Sequence, residues 1–252
     1  MHWLPPNGAL HGIALDHLLR WNLSIVFWLF VAAQALLLVL MFLRRRPAKN
    51  VSASRLHSPR FIVLAELLPL LAIVGLYAWM IVTSHKLWAA RRESAVAQRA
   101  VEVEATGVQF QWYFRYPGSD GIYGTIRPQL VNAPSGNPLG LDPQDPHSAD
   151  DIVSSILMLP AGRPVTLRLR SQDVIHGFFI PGMRLKQDTI PGMPGQIDFT
   201  PEIPGDYPIL CSQVCGLGHA RMQARLRVVS PADYDRWMTA RERALASAEA
   251  SR

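Results

Sequence analysis

From Trp21 to Leu43 the chain runs without a charged residue, and from Phe61 to Thr83 it does so again with Glu66 as the sole charge. Each run is about 23 residues long, which as a helix rising ~1.5 Å per residue exceeds the ~30 Å hydrocarbon thickness of a bilayer. Two such runs constrain the first third of the chain to an antiparallel pair of membrane-spanning helices. A cleaved signal peptide is the alternative for the first run. Its apolar core is too long for that, and no small-residue cleavage site follows it.

Between the runs stand Arg44, Arg45, Arg46, Lys49, Arg55 and Arg60 with no acidic residue among them. The positive-inside bias makes residues 44–60 a cytoplasmic loop and places both termini outside. The same cluster explains the formal charge of +6, because residues 84–252 carry 18 Lys and Arg against 17 Asp and Glu. A basic balance of this origin does not point to nucleic acid, and no aromatic residues interleave the cluster.

Residues 1–20 read as an outside lead, 21–83 as the transmembrane hairpin, and 84–105 as a polar, helix-prone connector. The period then changes. Val101–Thr106 and Val165–Arg170 alternate as half-buried strands do, and Gln196–Thr200, Tyr207–Cys211 and Ala224–Val229 read as further short strands between Pro and Gly clusters. This pattern predicts a β-sandwich or barrel over 106–230. Tyr116–Ala161 is too long for an ordinary connection and reads as an excursion from it. After Ser230, placed as N-cap, and Pro231 at the first helical position, residues 231–252 read as a helix.

The two cysteines of the chain lie in Cys211-Ser212-Gln213-Val214-Cys215-Gly216-Leu217-Gly218-His219-Ala220-Arg221-Met222. Alone, in an oxidising outside compartment, such a pair is equally a disulfide closing a small loop. His219 and Met222 change the balance, since thiolate, imidazole and thioether together form a soft ligand set suited to copper. Zinc is the usual partner of Cys and His, but the methionine and the Cys-x-x-x-Cys-x-x-x-His-x-x-Met spacing argue against it. A mononuclear blue-copper site needs one cysteine, so the second is surplus to it. Two thiolates can instead bridge two copper ions, and a second histidine is then required. His176, at the end of the apolar run Val174-Ile175-His176-Gly177-Phe178-Phe179-Ile180, supplies it.

With these motifs in order behind a two-span anchor, the chain resembles subunit II of the cytochrome c oxidases, within the haem-copper oxidase family. The likeness extends to the aromatic run Gln109-Phe110-Gln111-Trp112, to Asp173-Val174-Ile175-His176, and to Leu185-Lys186-Gln187-Asp188-Thr189-Ile190-Pro191-Gly192. The resemblance implies a cupredoxin-like Greek-key barrel holding a binuclear CuA centre. By it, His176 and Met222 serve one copper, His219 and the main-chain carbonyl of Gln213 serve the other, and Cys211 and Cys215 bridge both. It also implies electron delivery from a cytochrome c or other small donor to haem in subunit I, for reduction of O2 coupled to proton translocation. No Cys-x-x-Cys-His run is present, so no c-type haem is expected on this chain.

Several positions depart from the family pattern. Gln213 stands where most members carry the glutamate that helps hold magnesium against subunit I. The copper is kept, magnesium is doubtful, and Asp188 is the remaining candidate for an interface metal. Phe110 matches the family's electron-entry tryptophan, with Trp112 two residues on as a second candidate. Arg115 stands where members that dock cytochrome c often carry a carboxylate, while Asp120, Asp142, Asp145, Asp150 and Asp151 either restore a negative surface or form a solvated loop. Ile62 replaces the family's acidic residue in the second span, and Glu66, three residues before Pro69, is the candidate for a proton path. Two other functions compete: the CuA subunit of a nitric oxide reductase, and a membrane-tethered copper carrier or assembly factor.

Overall fold

The computed structural model describes residues 4–44, 59–97 and 100–249, so residues 45–58 of the expected cytoplasmic loop lie outside the described residues. Residues up to Ile13 and from Arg91 onward form one compact unit, and Ala14–Ala90 form a second. The second unit comprises most of two helices, α1 (Gly12–Arg44) and α2 (Pro59–Ala97). Within them Gly12–Phe42 and Glu66–Ala90 are long and apolar enough to cross a membrane, and the most apolar 18-residue stretch of each holds no buried residue. Both helices outrun the apolar runs read from the sequence. α1 begins nine residues before Trp21, and α2 continues to Ala97 through the polar stretch expected to connect the units. Pro69 sits inside α2.

The first unit is a sandwich of ten strands: β1 (Val101–Val108), β2 (Gln111–Tyr116), β3 (Ile152–Ser154), β4 (Ile156–Pro160), β5 (Val165–Ser171), β6 (His176–Ile180), β7 (Leu185–Thr189), β8 (Gly195–Phe199), β9 (Gly205–Cys211) and β10 (Gln223–Val229). One sheet runs β3-β2-β1-β5-β8 and the other β4-β10-β9-β6-β7. The pairs β1–β5 and β4–β10 are parallel and the remaining ladders antiparallel. This arrangement fits the expected cupredoxin-like fold. Strand β5 shows why the alternating sequence folds so: Val165, Leu167 and Leu169 turn inward to full burial while Arg168 and Arg170 turn out. Opposite them Leu157, Phe178, Ile209 and Leu226 close the core. Burying each such side chain contributes about 1.5–3 kcal/mol.

Four expectations are corrected. Strand β1 is not half-buried, since Val103–Gly107 are all buried. It lies between β2 and β5, and its outer face carries Glu104 opposite Arg115 under the ring of Tyr123. The excursion ends earlier than Ala161, because β3 joins one sheet and β4 the other. Arg115 is no surface charge. It is 1% exposed and donates to Asp151 through Nε at 3.0 Å and Nη2 at 2.5 Å, and also to the Gly124 carbonyl. Finally, the stretch around Gly8–Leu10 of the N-terminal lead belongs to the sandwich: the Gly8 N–H donates to Gly182 O at 2.8 Å, the Leu10 N–H to Thr200 O at 3.0 Å, and Ala9 is buried in the core. No period announces so short a segment.

Helix α3 (Pro231–Glu249) is the last element among the described residues. Ser230 caps it, with Oγ accepting from the Asp233 N–H at 3.2 Å and donating to Asp233 Oδ2 at 2.6 Å. Tyr234 is buried on the sandwich, and Trp237 meets Tyr116 edge-on at 5.0 Å.

Candidate metal centre

The site stands where β6 begins and β9 gives way to β10. The chain leaves β9 at Cys211, makes an irregular loop with a short helical turn at His219–Arg221, and enters β10 at Gln223. Main-chain bonds close the loop: the Cys211 N–H donates to Met222 O at 3.1 Å and the Met222 N–H to Gly218 O at 3.1 Å. The Ser212 N–H donates to Gly177 O at 2.8 Å, fixing the loop to β6 and so to His176.

Within this frame the donor atoms converge. One nitrogen of His176 and the sulfurs of Cys211 and Cys215 lie within 4.8 Å of one another. The two sulfurs are 3.7 Å apart and both cysteines are free thiols. From Cys215 Sγ it is 3.8 Å to His219 Nδ1 and 3.7 Å to Met222 Sδ. The Gln213 carbonyl oxygen lies 3.1 Å from Cys211 Sγ. All six residues singled out in the sequence are therefore brought to one place. Burial, with the Cys211 thiol beside it, pushes the Cys215 thiol up to about 11. A cationic partner is needed to hold it as thiolate.

Asp173 is the functional residue that sequence reasoning passed over, although it sits in the quoted run. Its Oδ1 lies 2.8 Å from His176 Nε2, and its Oδ2 accepts from the Gln109 N–H at 2.7 Å. Burial raises its pKa, but the Gln109 N–H, His176 and the Val174 N–H outweigh that and hold the carboxyl below the usual range. An ionised carboxylate only accepts, so Nε2 carries the proton and Nδ1 of His176 keeps its lone pair. That Nδ1 is buried without a hydrogen-bond partner, on a ring that is 0% exposed. An orphaned basic nitrogen beside two thiols fits a soft metal, and Met222 adds a thioether that copper accepts and zinc sites rarely use.

Phe110 lies directly on the loop. A Cβ on Gly218 would come within 2.3 Å of its ring, and Gly216, at φ +135°, passes the same ring where a side chain would be strained. Gln109 secures the contact by donating from Nε2 to Cys215 O at 2.5 Å. Phe110 is 39% exposed, whereas Trp112 is fully buried and packs edge-on against His176 at 5.8 Å. Solvent reaches the first ring and not the second. Asp188 stands outside the cluster, opposite Gly177 on β7, and pairs with Lys186 Nζ at 2.9 Å. Glu66 lies on α2 in the other unit.

Known proteins resemble the chain over this same region. Residues 101–229 match the family described as cytochrome c oxidase subunit II, periplasmic domain. The "alternative cytochrome c oxidase subunit 2" of Bradyrhizobium diazoefficiens is 43% identical over 141 residues, covering 55% of this chain and 50% of that one. Cytochrome c oxidase subunit 2 of Synechocystis is 33% identical over 138 residues, covering 55% of this chain and 32% of that one. The chain thus matches half or less of the length of these relatives. The crystal structure of the periplasmic domain of subunit II of cytochrome oxidase from Bradyrhizobium japonicum aligns with a TM-score of 0.43 at 23% identity, over 57% of this chain and 95% of that one. With the family match spanning both strands and loop of the metal centre, this chain belongs to the cytochrome c oxidase subunit II family.

Proposed function

We propose that the chain is the electron-entry subunit of a respiratory terminal oxidase, taking electrons from a cytochrome c-like donor and passing them to haem in subunit I for reduction of O2 to water coupled to proton translocation. The observation that carries this reading is the convergence of two free thiols, two imidazoles, a thioether and a carbonyl at one partly buried corner, with His176 Nδ1 left bare. Cys211 and Cys215 would bridge two copper ions, with His176 and Met222 on one and His219 and the Gln213 carbonyl on the other. Bound there, the copper pair supplies a reversible one-electron store shared over two metals.

The protein's own part is to hold that geometry still. The Cys211–Met222 and Ser212–Gly177 bonds fix the loop at both ends, and Asp173 fixes the proton of His176 on Nε2. The buried walls of Trp112, Phe178 and Met222 exclude water from one side, so little has to reorganise when charge arrives. Phe110, seated on the loop and open to solvent, is the point of donor contact. An interface magnesium is expected only weakly, because the Gln213 amide brings no charge and Asp188 is tied to Lys186. Glu66 is retained as a proton-path candidate in the anchor, with both termini and the copper domain on the periplasmic side of the cell membrane. Steady-state oxygen uptake by the purified complex with reduced cytochrome c tests the reading. It predicts uptake that disappears in Cys215→Ser together with the copper absorption. Uptake that survives loss of both coppers would overturn it.

A further inference from the structure

Strands β6 and β9, which carry His176 and Cys211, belong to the sheet β4-β10-β9-β6-β7, whereas β1 and β2 belong to the other. The turn that joins β1 to β2 is two residues long, Gln109 and Phe110, because Val108 and Gln111 pair across it. Through Gln109 this turn reaches the metal centre at two points. Its N–H donates to Asp173 Oδ2 at 2.7 Å, and Asp173 Oδ1 lies 2.8 Å from His176 Nε2. Its side chain donates from Nε2 to the Cys215 carbonyl at 2.5 Å. A carbonyl only accepts, so the amide end that faces it is the NH2 group. One residue of the opposite sheet thus holds both the carboxylate that orients a histidine and the main chain of a thiol.

Cys215 is where such a tie has most effect. Its Sγ lies 3.7 Å from Cys211 Sγ, 3.8 Å from His219 Nδ1 and 3.7 Å from Met222 Sδ, so a displaced Cys215 disturbs every one of these donors. Val214 and Cys215 belong to no strand, helix or turn. The loop is fastened to β6 near its start, by the Ser212 N–H on Gly177 O, and closed across its ends by the Cys211 N–H on Met222 O. Gly216 follows Cys215 at φ +135°, and glycine leaves the peptide between them more freedom than any other residue would. The Gln109 amide takes up that freedom. It stands so close that a Cβ on Gly216 would come within 2.9 Å of Nε2.

We propose that Gln109 is a positioning residue of the metal centre: its side-chain amide holds the Cys215–Gly216 peptide, and with it the Cys215 thiol, in fixed relation to the Asp173–His176 pair that its main-chain N–H holds. The inference rests on the two-copper reading above and deepens it by naming a group outside the ligand set that keeps a bridging thiol and a histidine in register.

Gln109 is exposed, so its replacement leaves the core intact. Gln109→Met keeps the length and loses the donor, and Gln109→Lys keeps a donor within reach of the carbonyl; the N–H to Asp173 survives in both. In the purified complex Gln109→Met should hold two coppers, shift the thiolate-to-copper absorption and lose copper to excess chelator about fivefold faster than the native protein, the ratio that one net hydrogen bond is worth. Gln109→Lys should stay within about twofold of native. With copper removed, main-chain hydrogen exchange over 212–222 should be about fivefold faster in Gln109→Met, a readout that needs no metal. In an Asp173→Ala background the added cost of Gln109→Met should fall well below fivefold, since the turn is already loosened. Native absorption and copper loss in Gln109→Met would overturn the positioning role, equal losses in the Met and Lys variants would assign the effect to packing and overturn the donor, and a full product of the two losses would overturn the link to His176. Should Gln109→Met fail to assemble, Gln109→Asn, too short to reach the carbonyl, carries the same expectation. A native complex without copper would strike the two-copper reading itself, and the exchange comparison would still decide the place of Gln109.

Discussion

Replacing Asp173 by alanine isolates the interaction that prepares His176 for metal. The carboxylate accepts from the Gln109 N–H at 2.7 Å, the Val174 N–H at 2.6 Å and His176 Nε2 at 2.8 Å, and its side chain is 27% exposed. The two main-chain hydrogen bonds, from exposed Gln109 and half-buried Val174, are open to solvent, and their donors can recover water. The His176 ring is fully enclosed and cannot. A hydrogen bond to a charged group contributes about 1.5–3 kcal/mol, and partial exposure puts this one near the lower end. At 1.4 kcal/mol per factor of ten, about 1.5–2 kcal/mol is a ten- to thirtyfold loss of copper affinity. Partners of metal-bound histidines commonly cost 10–100-fold on removal, which brackets the same figure. Copper retention in the purified complex against graded chelator reads it directly, and Asp173→Asn, which keeps one accepting oxygen, should fall between. If Asp173→Ala retains copper within about threefold of the native protein, the carboxylate does not position His176.

Other consequences are independent of that one. Arg115→Met leaves Asp151 buried without its cation and Glu104 with Arg170 alone, and should destabilise the sandwich by about 3–5 kcal/mol in thermal unfolding followed by loss of copper absorption; a cost under about 1 kcal/mol would show Asp151 neutralised by other means. The hydrogen bond that His147 donates to Asp120 raises the pKa of His147 and lowers that of Asp120. The stability this pair lends the excursion is therefore complete below the ordinary histidine value and lost as pH rises through the raised one, and lost again in acid through the lowered pKa of Asp120. Histidine hydrogen exchange followed by mass spectrometry should give His147 a midpoint above about 6.5, and Asp120→Asn should return it there; an ordinary midpoint in the native protein contradicts the pairing. Met222→Leu should keep both coppers and raise the reduction potential, since a weak thioether donor stabilises the oxidised metal more than it anchors it; loss of copper would make Met222 a structural ligand.

The donor set was legible in the sequence because its chemistry is local. Cys211, Gln213, Cys215, His219 and Met222 share one short loop, and a soft ligand set at that spacing restricts the metal before any fold is known. His176, distant in the chain, was picked out as the second histidine that two bridged metals require, and the pairing of β6 with β9 brings it within reach. Strands such as β5 and β10 followed from alternation, since one face of each is buried and the other is wet. Strand β1 misled for the converse reason: its Glu104 looks like a solvent-facing residue, and only Arg115 from β2 and the covering excursion permit it inside. The role of Asp173 was invisible because a carboxylate three residues before a histidine acquires meaning only when its oxygens are seen on His176 and Gln109.

The central claim is that Cys211 and Cys215 together hold two metals. Metal analysis of the purified complex, with the optical and electron paramagnetic resonance spectra of the oxidised form, tests it most directly. The account predicts two coppers per copy of this chain at this centre, sharing one unpaired electron, and loss of that signal in Cys211→Ser and in Cys215→Ser alike. A single copper with an ordinary mononuclear spectrum, or two coppers retained in either serine variant, would contradict it.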